Sequence, residues 1–108
     1  MIDFECIVQE GVIAADLRPG LTTGPVAVCT SLLGEPAESV RVSFTEVPEG
    51  SGFKGGEPSR TSLVMGTIPP GCESQLRTQL LKDIEDMWRR TTGCAVDEVV
   101  VAATDHPN

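Results

Sequence analysis

Apolar and polar residues alternate over residues 2–8: Ile2, Phe4 and Cys6 share one face, and Asp3 and Glu5 the other. Alternation with a period of two predicts a half-buried strand, and Glu10-Gly11 ends it. Residues 39–47 repeat the pattern. Val40, Val42, Phe44 and then Glu46 look one way, and Arg41, Ser43, Thr45 and Val47 the other. A third strand is predicted over 62–68, stopped by Pro69-Pro70-Gly71, and a fourth over 97–103. The unbroken run Val99-Val100-Val101 is the kind found in strands covered on both faces, so a central position is expected for the last strand.

Two segments follow a helical period instead. In residues 73–90 the stripe is Leu76, Leu80, Ile84 and Met87/Trp88, with acid-first pairs Glu73/Arg77, Glu85/Arg89 and Asp86/Arg90 one turn apart. Glu73 opens this helix and Arg89-Arg90 close it, in the sense that suits the helix dipole, and Gly93 is the expected C-cap. In residues 16–33 the stripe is Leu17, Leu21, Val28 and Leu32, interrupted by Pro25. Proline cannot donate within a helix. Either the helix starts near Thr23, with Pro25 in its first turn, or it is kinked there. Gly34 is the expected C-cap, and Pro36 prevents continuation.

The order is therefore β-α-β, a glycine-rich connector over 48–58, then β-α-β. We read residues 1–108 as one domain made of a duplicated βαβ unit, with repeat one at about 1–57 and repeat two at about 58–108. Right-handed crossovers would place both helices on one face of a four-stranded mixed sheet, an α/β (α+β) fold. The same element order occurs in ferredoxin-like ligand-binding domains.

Composition narrows the function. Aromatic residues make up only 4% of the 108, so Val, Leu and Ile must supply the core. The net charge of −8, with no basic stripe, disfavours nucleic acid and anionic membrane surfaces as partners. No apolar run reaches the ~18–20 residues that span a bilayer, and no leader pattern opens the chain. A cytoplasmic location is the default. Cys6, Cys29, Cys72 and Cys94 are widely spaced and are expected as free thiols. The single histidine, His106, lacks spaced partners, so no metal and no cofactor are expected.

The strand Ser39-Val40-Arg41-Val42-Ser43-Phe44-Thr45-Glu46, followed by Gly52-Phe53-Lys54-Gly55-Gly56-Glu57, resembles the second strand and closing hairpin of the 4-oxalocrotonate tautomerase family. The match is most specific over residues 37–57 and weaker over 1–36, where the Glu10-Gly11 turn agrees. Over 59–108 only the element order agrees. The length is similar to that of the fused members and the macrophage migration inhibitory factor class, which carry two βαβ units and form trimers. The resemblance implies a tautomerase-like subunit that self-associates as a homotrimer and binds a small-molecule carboxylate.

In that family an N-terminal proline amine moves a proton between carbon and oxygen of a keto–enol pair, while arginines hold the substrate carboxylate. Arg41 falls on the family's strand arginine, and a guanidinium suits a carboxylate because it can donate two parallel hydrogen bonds. Phe53 lies one position from the family's apolar wall residue. Arg60 is a candidate second cation. The chain differs from the family pattern at three places. It begins Met1-Ile2 where the family has proline, Val12 stands where one branch has a second arginine, and Val99-Val100-Val101 stands where duplication would repeat the strand arginine. Met1 could serve through its α-amine, whose reference pKa is about 7.7–8.0. Two readings follow: a keto–enol isomerase of small 2-oxo acids, or a catalytically silent trimeric binding or structural member of the same fold.

Overall fold

A computed structural model describes residues 2–105. Four long strands are β1 (Ile2–Gln9), β2 (Val40–Val47), β5 (Ser62–Ile68) and β6 (Val99–Asp105). The connector forms a small hairpin from β3 (Phe53–Lys54) and β4 (Glu57–Pro58) around Gly55-Gly56. The helices are α1 (Arg18–Leu33) and α2 (Ser74–Thr92). The sheet order is β2-β1-β5-β6: β1 runs parallel to β2, β5 parallel to β6, and the two central strands antiparallel. This is the four-stranded mixed sheet expected of two βαβ units, with both helices against one face.

The strand alternation sets which face they cover. Ile2, Phe4, Cys6 and Val8 of β1 and Ser62, Val64 and Ile68 of β5 are buried, and they meet Leu21, Pro25 and Cys29 of α1 and Leu80, Ile84, Met87 and Trp88 of α2. The opposite face carries Asp3, Glu5 and Arg41 in the first unit, and Leu63, Met65 and Val100 in the second.

Three expectations need correcting. First, of the two alternatives for α1 the start near Thr23 is overturned: the helix begins at Arg18, with Pro19 in its first turn, and runs on through Pro25, as the other alternative had it. Pro25 removes the hydrogen bond that the Leu21 carbonyl would accept, but its ring is buried with Leu21 and Cys29 on the core side. Tertiary packing outweighs local propensity here. Gly24 lets the helices approach: a Cβ there would lie 2.3 Å from the Met87 Sδ. Second, β6 is an edge strand of the subunit, and Val100 is 48% exposed. Third, Arg77 pairs with Asp105 at the end of β6 rather than with Glu73. The spacings Glu85/Arg89 and Asp86/Arg90 close no ion pair among the described residues.

Both helices stop where the sequence predicts, at Gly34 and Gly93, each left-handed (φ 69° and 74°). After each glycine a short 3-10 turn leads into the next strand, Ala37–Ser39 before β2 and Val96–Glu98 before β6, with the same spacing. The two units are thus built alike despite little shared sequence. Gly66 sits where the β5 backbone passes under Phe4, and a Cβ there would lie 2.7 Å from its ring. Gly66→Ala should therefore cost about 1–3 kcal/mol through overpacking. Urea unfolding at fixed protein concentration would measure it, and an unchanged midpoint would contradict the tight contact.

Candidate functional site

The first unit brings its candidate residues to one end of the sheet. Ile2 is aligned with Val40 and Asp3 with Arg41, so the strand arginine stands beside the first residues of β1. Its Nε lies 3.2 Å from Asp3 Oδ1, on the face not covered by helices. The Arg41 side chain is 71% exposed and keeps its guanidinium in solvent contact. Met1, the candidate proton carrier, lies outside the described residues. At this same end, between the helix termini, is a cavity of about 200 Å³ lined by Leu33, Glu35, Ile68, the Pro69-Pro70-Gly71 turn, Cys72 and Leu76.

Phe53 and Arg60 lie elsewhere within the subunit. Phe53 is on the β3–β4 hairpin, 68% exposed, beyond the end of β2. Arg60 precedes β5 and is exposed. The antiparallel pairing Ile7↔Leu63 and Asp3↔Thr67 places the start of β5 at the far end of the sheet from Arg41, roughly 20 Å away at ~3.3 Å per residue. One subunit therefore does not bring Arg41 together with Phe53 or Arg60. The hairpin is anchored by Gln9, which is 4% exposed at the end of β1. Gln9 donates to the Ser59 carbonyl and accepts from the Gly50 amide at 3.1 Å. Beside it lies an apolar cleft of about 380 Å³ lined by Ile7, Val47, Pro48 and Leu63 among others.

Sequence reasoning missed Arg18. It heads α1, pairs with Glu46 of β2, and stacks over the Phe44 ring at 5.0 Å. Its Nε is buried and has no hydrogen-bond partner among the described residues. The available signal was Glu46: strand alternation put this acid on the face that α1 covers, within reach of a cation from that helix.

The duplicated register also shows what changed between the units. Leu63 and Val100 are aligned as Asp3 and Arg41 are. The ion pair of the first unit is an exposed apolar pair in the second.

The four cysteines are free. Burial, with a smaller contribution from Glu5, pushes the Cys6 thiol up to about 12. Burial, then Glu35, pushes Cys29 up to about 11. Cys72 and Cys94 are half-buried. Two thiols should therefore react with an aromatic disulfide reagent at pH 8 in the folded protein, and all four after denaturation. Four fast thiols in the folded protein would contradict the burial. The raised folded values also set a pH dependence. Each buried thiol stabilises the fold fully below its unfolded pKa of about 8.5. The unfolded chain releases its protons first, so stability should fall from about pH 9 upward, by on the order of 1 kcal/mol per pH unit per thiol until the folded thiol titrates.

No group of metal-ligating side chains occurs among the described residues. No helix in them is long and apolar enough to cross a membrane.

No protein-family model matches the chain, and no curated protein matches it. Solved structures do. The crystal structure of native Ps01740 is 30% identical, with a TM-score of 0.91 over 97% of this chain and 94% of that one. The fused 4-OT wild-type symmetric trimer Q0 is 19% identical, with a TM-score of 0.89 over 97% of this chain and 85% of that one. Pt0534 inactivated by 2-oxo-3-pentynoate is 24% identical, with a TM-score of 0.88 over 97% of this chain and 85% of that one. Together with the Ser-Val-Arg-Val strand, the glycine hairpin and the paired βαβ units, these matches identify the chain as a member of the 4-oxalocrotonate tautomerase-like tautomerase superfamily.

Proposed function

We propose that this protein is a keto–enol isomerase of small 2-oxo acids. In the direction from enol to ketone, the amine heading β1 (that of Met1 in this sequence) accepts the enol hydroxyl proton. The resulting ammonium delivers a proton to the adjacent carbon as the double bond shifts to the C–O bond. Arg41 holds the carboxylate by charge-assisted hydrogen bonds. The amine's reference pKa of about 7.7–8.0 suits a group that must both take and give a proton near neutrality. The supporting observation is the alignment of Asp3 with Arg41, which sets the strand cation beside the strand that the amine heads. A 2-oxo acid as the inactivator of Pt0534, a protein of this fold, agrees with the substrate class.

Carbamylation of the α-amine with cyanate at neutral pH tests the amine's role, because that amine is far less protonated there than lysine. Loss of phenylenolpyruvate ketonisation is expected. Full activity after complete modification would remove the amine from the mechanism.

A second reading, a silent binding member of the fold, is favoured by one observation: the Arg41 guanidinium already forms an ion pair with Asp3. Turnover of phenylenolpyruvate above the solution rate would exclude it.

We also propose a homotrimer in the cytoplasm. The similar fused 4-OT structures are trimers. Here β2 and β6 each leave an edge of the sheet unpaired within the subunit, and Leu63, Met65 and Val100 are exposed on its open face. Assembly would cover both features. Phe53, exposed on the hairpin, would then complete a neighbouring subunit's site. Four free thiols agree with a reducing compartment. Sedimentation equilibrium should give three times the 11.4 kDa chain mass; a monomer would contradict the assembly.

A further inference from the structure

The second unit has its own cavity, at the end of the sheet opposite Arg41. It measures about 240 Å³ and lies between the β1–α1 turn, the start of β5 and the end of α2. It corresponds to the first unit's cavity, which lies between the β5–α2 turn and the end of α1. The linings differ in chemistry. Among the described residues that line the first there is no arginine or lysine. The second has Arg60 at its rim, the Ser62 and Thr92 hydroxyls, and a wall formed by Val12, Ile13 and Trp88. Arg60 makes no hydrogen bond or ion pair among the described residues. Ser62 is one of two buried polar residues in the described core, at 2% exposure.

Two neighbours are already committed. Glu98 Oε1 accepts the Ala95 amide at 2.8 Å. The Thr92 hydroxyl donates to the Trp88 carbonyl at 2.8 Å and accepts the Cys94 amide at 3.2 Å. Of the two charged residues in this lining, Arg60 is the one without a partner among the described residues, and it shares the lining with apolar Val12, Ile13 and Trp88. The Glu98 carboxylate on the same rim disfavours a dianion by repulsion.

We infer that this second cavity binds a small monocarboxylate with a short apolar body, its carboxylate on Arg60 and Ser62 and its body against Ile13 and Trp88. The site cannot repeat the chemistry proposed for the first unit. The chain passes through Arg60-Thr61 as ordinary peptide, so no α-amine stands there. It is a binding site for an effector or a second ligand, and the inference does not depend on the isomerase reading.

Trp88 is the chain's single tryptophan and lines this cavity but not the first, so its fluorescence reports where a ligand sits. The test uses the full chain, with radiolabelled 4-methylpentanoate in equilibrium dialysis and the unlabelled acid in a Trp88 fluorescence titration. One saturable site per chain with a matching Trp88 fluorescence change is expected, distinct from any binding at Arg41 that leaves the fluorescence unchanged, and no change from 4-methylpentanol. Arg60→Ala should weaken binding about 10- to 150-fold, the range for a hydrogen bond to a charged group. Arg60 has no partner among the described residues to lose, so the variant should fold, and Arg60→Lys should restore part of the affinity. Arg41→Ala should leave the Trp88-reported binding unchanged. Absence of saturable binding, or equal affinity in Arg60→Ala, would overturn the inference. Loss of binding in Arg41→Ala would also overturn it, by moving the carboxylate to the first unit. Failure of the isomerase reading would appear separately, as no turnover with the Trp88 response intact.

Discussion

Trp88→Ala should destabilise the protein by about 3–5 kcal/mol, the usual cost of removing a buried tryptophan. The side chain is 1% exposed and is the largest in a core that holds few aromatics. It lies on α2 beside Met87, the residue that packs against Gly24 of α1, so its loss would loosen both the helix pair and the sheet beneath. Domains of this size have only about 5–15 kcal/mol of stability to lose. Chemical unfolding should show the change at a fixed protomer concentration, because any assembly would make the apparent stability depend on concentration. A loss under about 1 kcal/mol would mean that the surrounding residues collapse into the space, contrary to the close packing described.

Arg41→Ala should lower kcat/KM for a 2-oxo acid about 10- to 150-fold, corresponding to a charged hydrogen bond of about 1.5–3 kcal/mol. The same change should barely affect folding. The pair with Asp3 is on an exposed face, and surface ion pairs contribute about 0–1 kcal/mol. The split is informative: a purely structural arginine would affect neither quantity much, and a buried one would affect both. Steady-state rates alongside a thermal melt would give the two numbers. Unchanged kcat/KM would remove Arg41 from the site.

Local patterns carried most of the fold. The period-two runs of β1, β2 and β5, the Leu80–Ile84–Trp88 stripe of α2, and the capping glycines Gly34 and Gly93 all depend on neighbours within a few residues, and all were legible. The errors came where a distant residue decides. Pro25 stays inside α1 because its ring fills core space under the sheet. Val99–Val101 looked central because it is apolar, but the subunit leaves it at an edge. Arg77 chose Asp105 over its own helix neighbour Glu73. The site was legible only in part. The family resemblance singled out Arg41 and the strand pattern gave its face, and pairing with an acid on that face is what the structure shows. Alternation cannot show that Arg60 and Phe53 stand at the other end of the sheet, because that follows from the antiparallel run of β5. Arg18 and its contact with Phe44 and Glu46 join residues far apart in sequence, and no spacing rule reaches them.

We propose that an amine heading β1 and the Arg41 cation together make an isomerase. The most direct test is the initial rate with phenylenolpyruvate or 2-hydroxymuconate, comparing this chain with a variant whose mature N-terminus is proline. Turnover above the solution rate is expected for the native chain, with proline in that position raising it or leaving it intact. A native chain no faster than solution, whether or not the proline variant works, would contradict the claim for the natural protein and leave a binding or structural member of the superfamily.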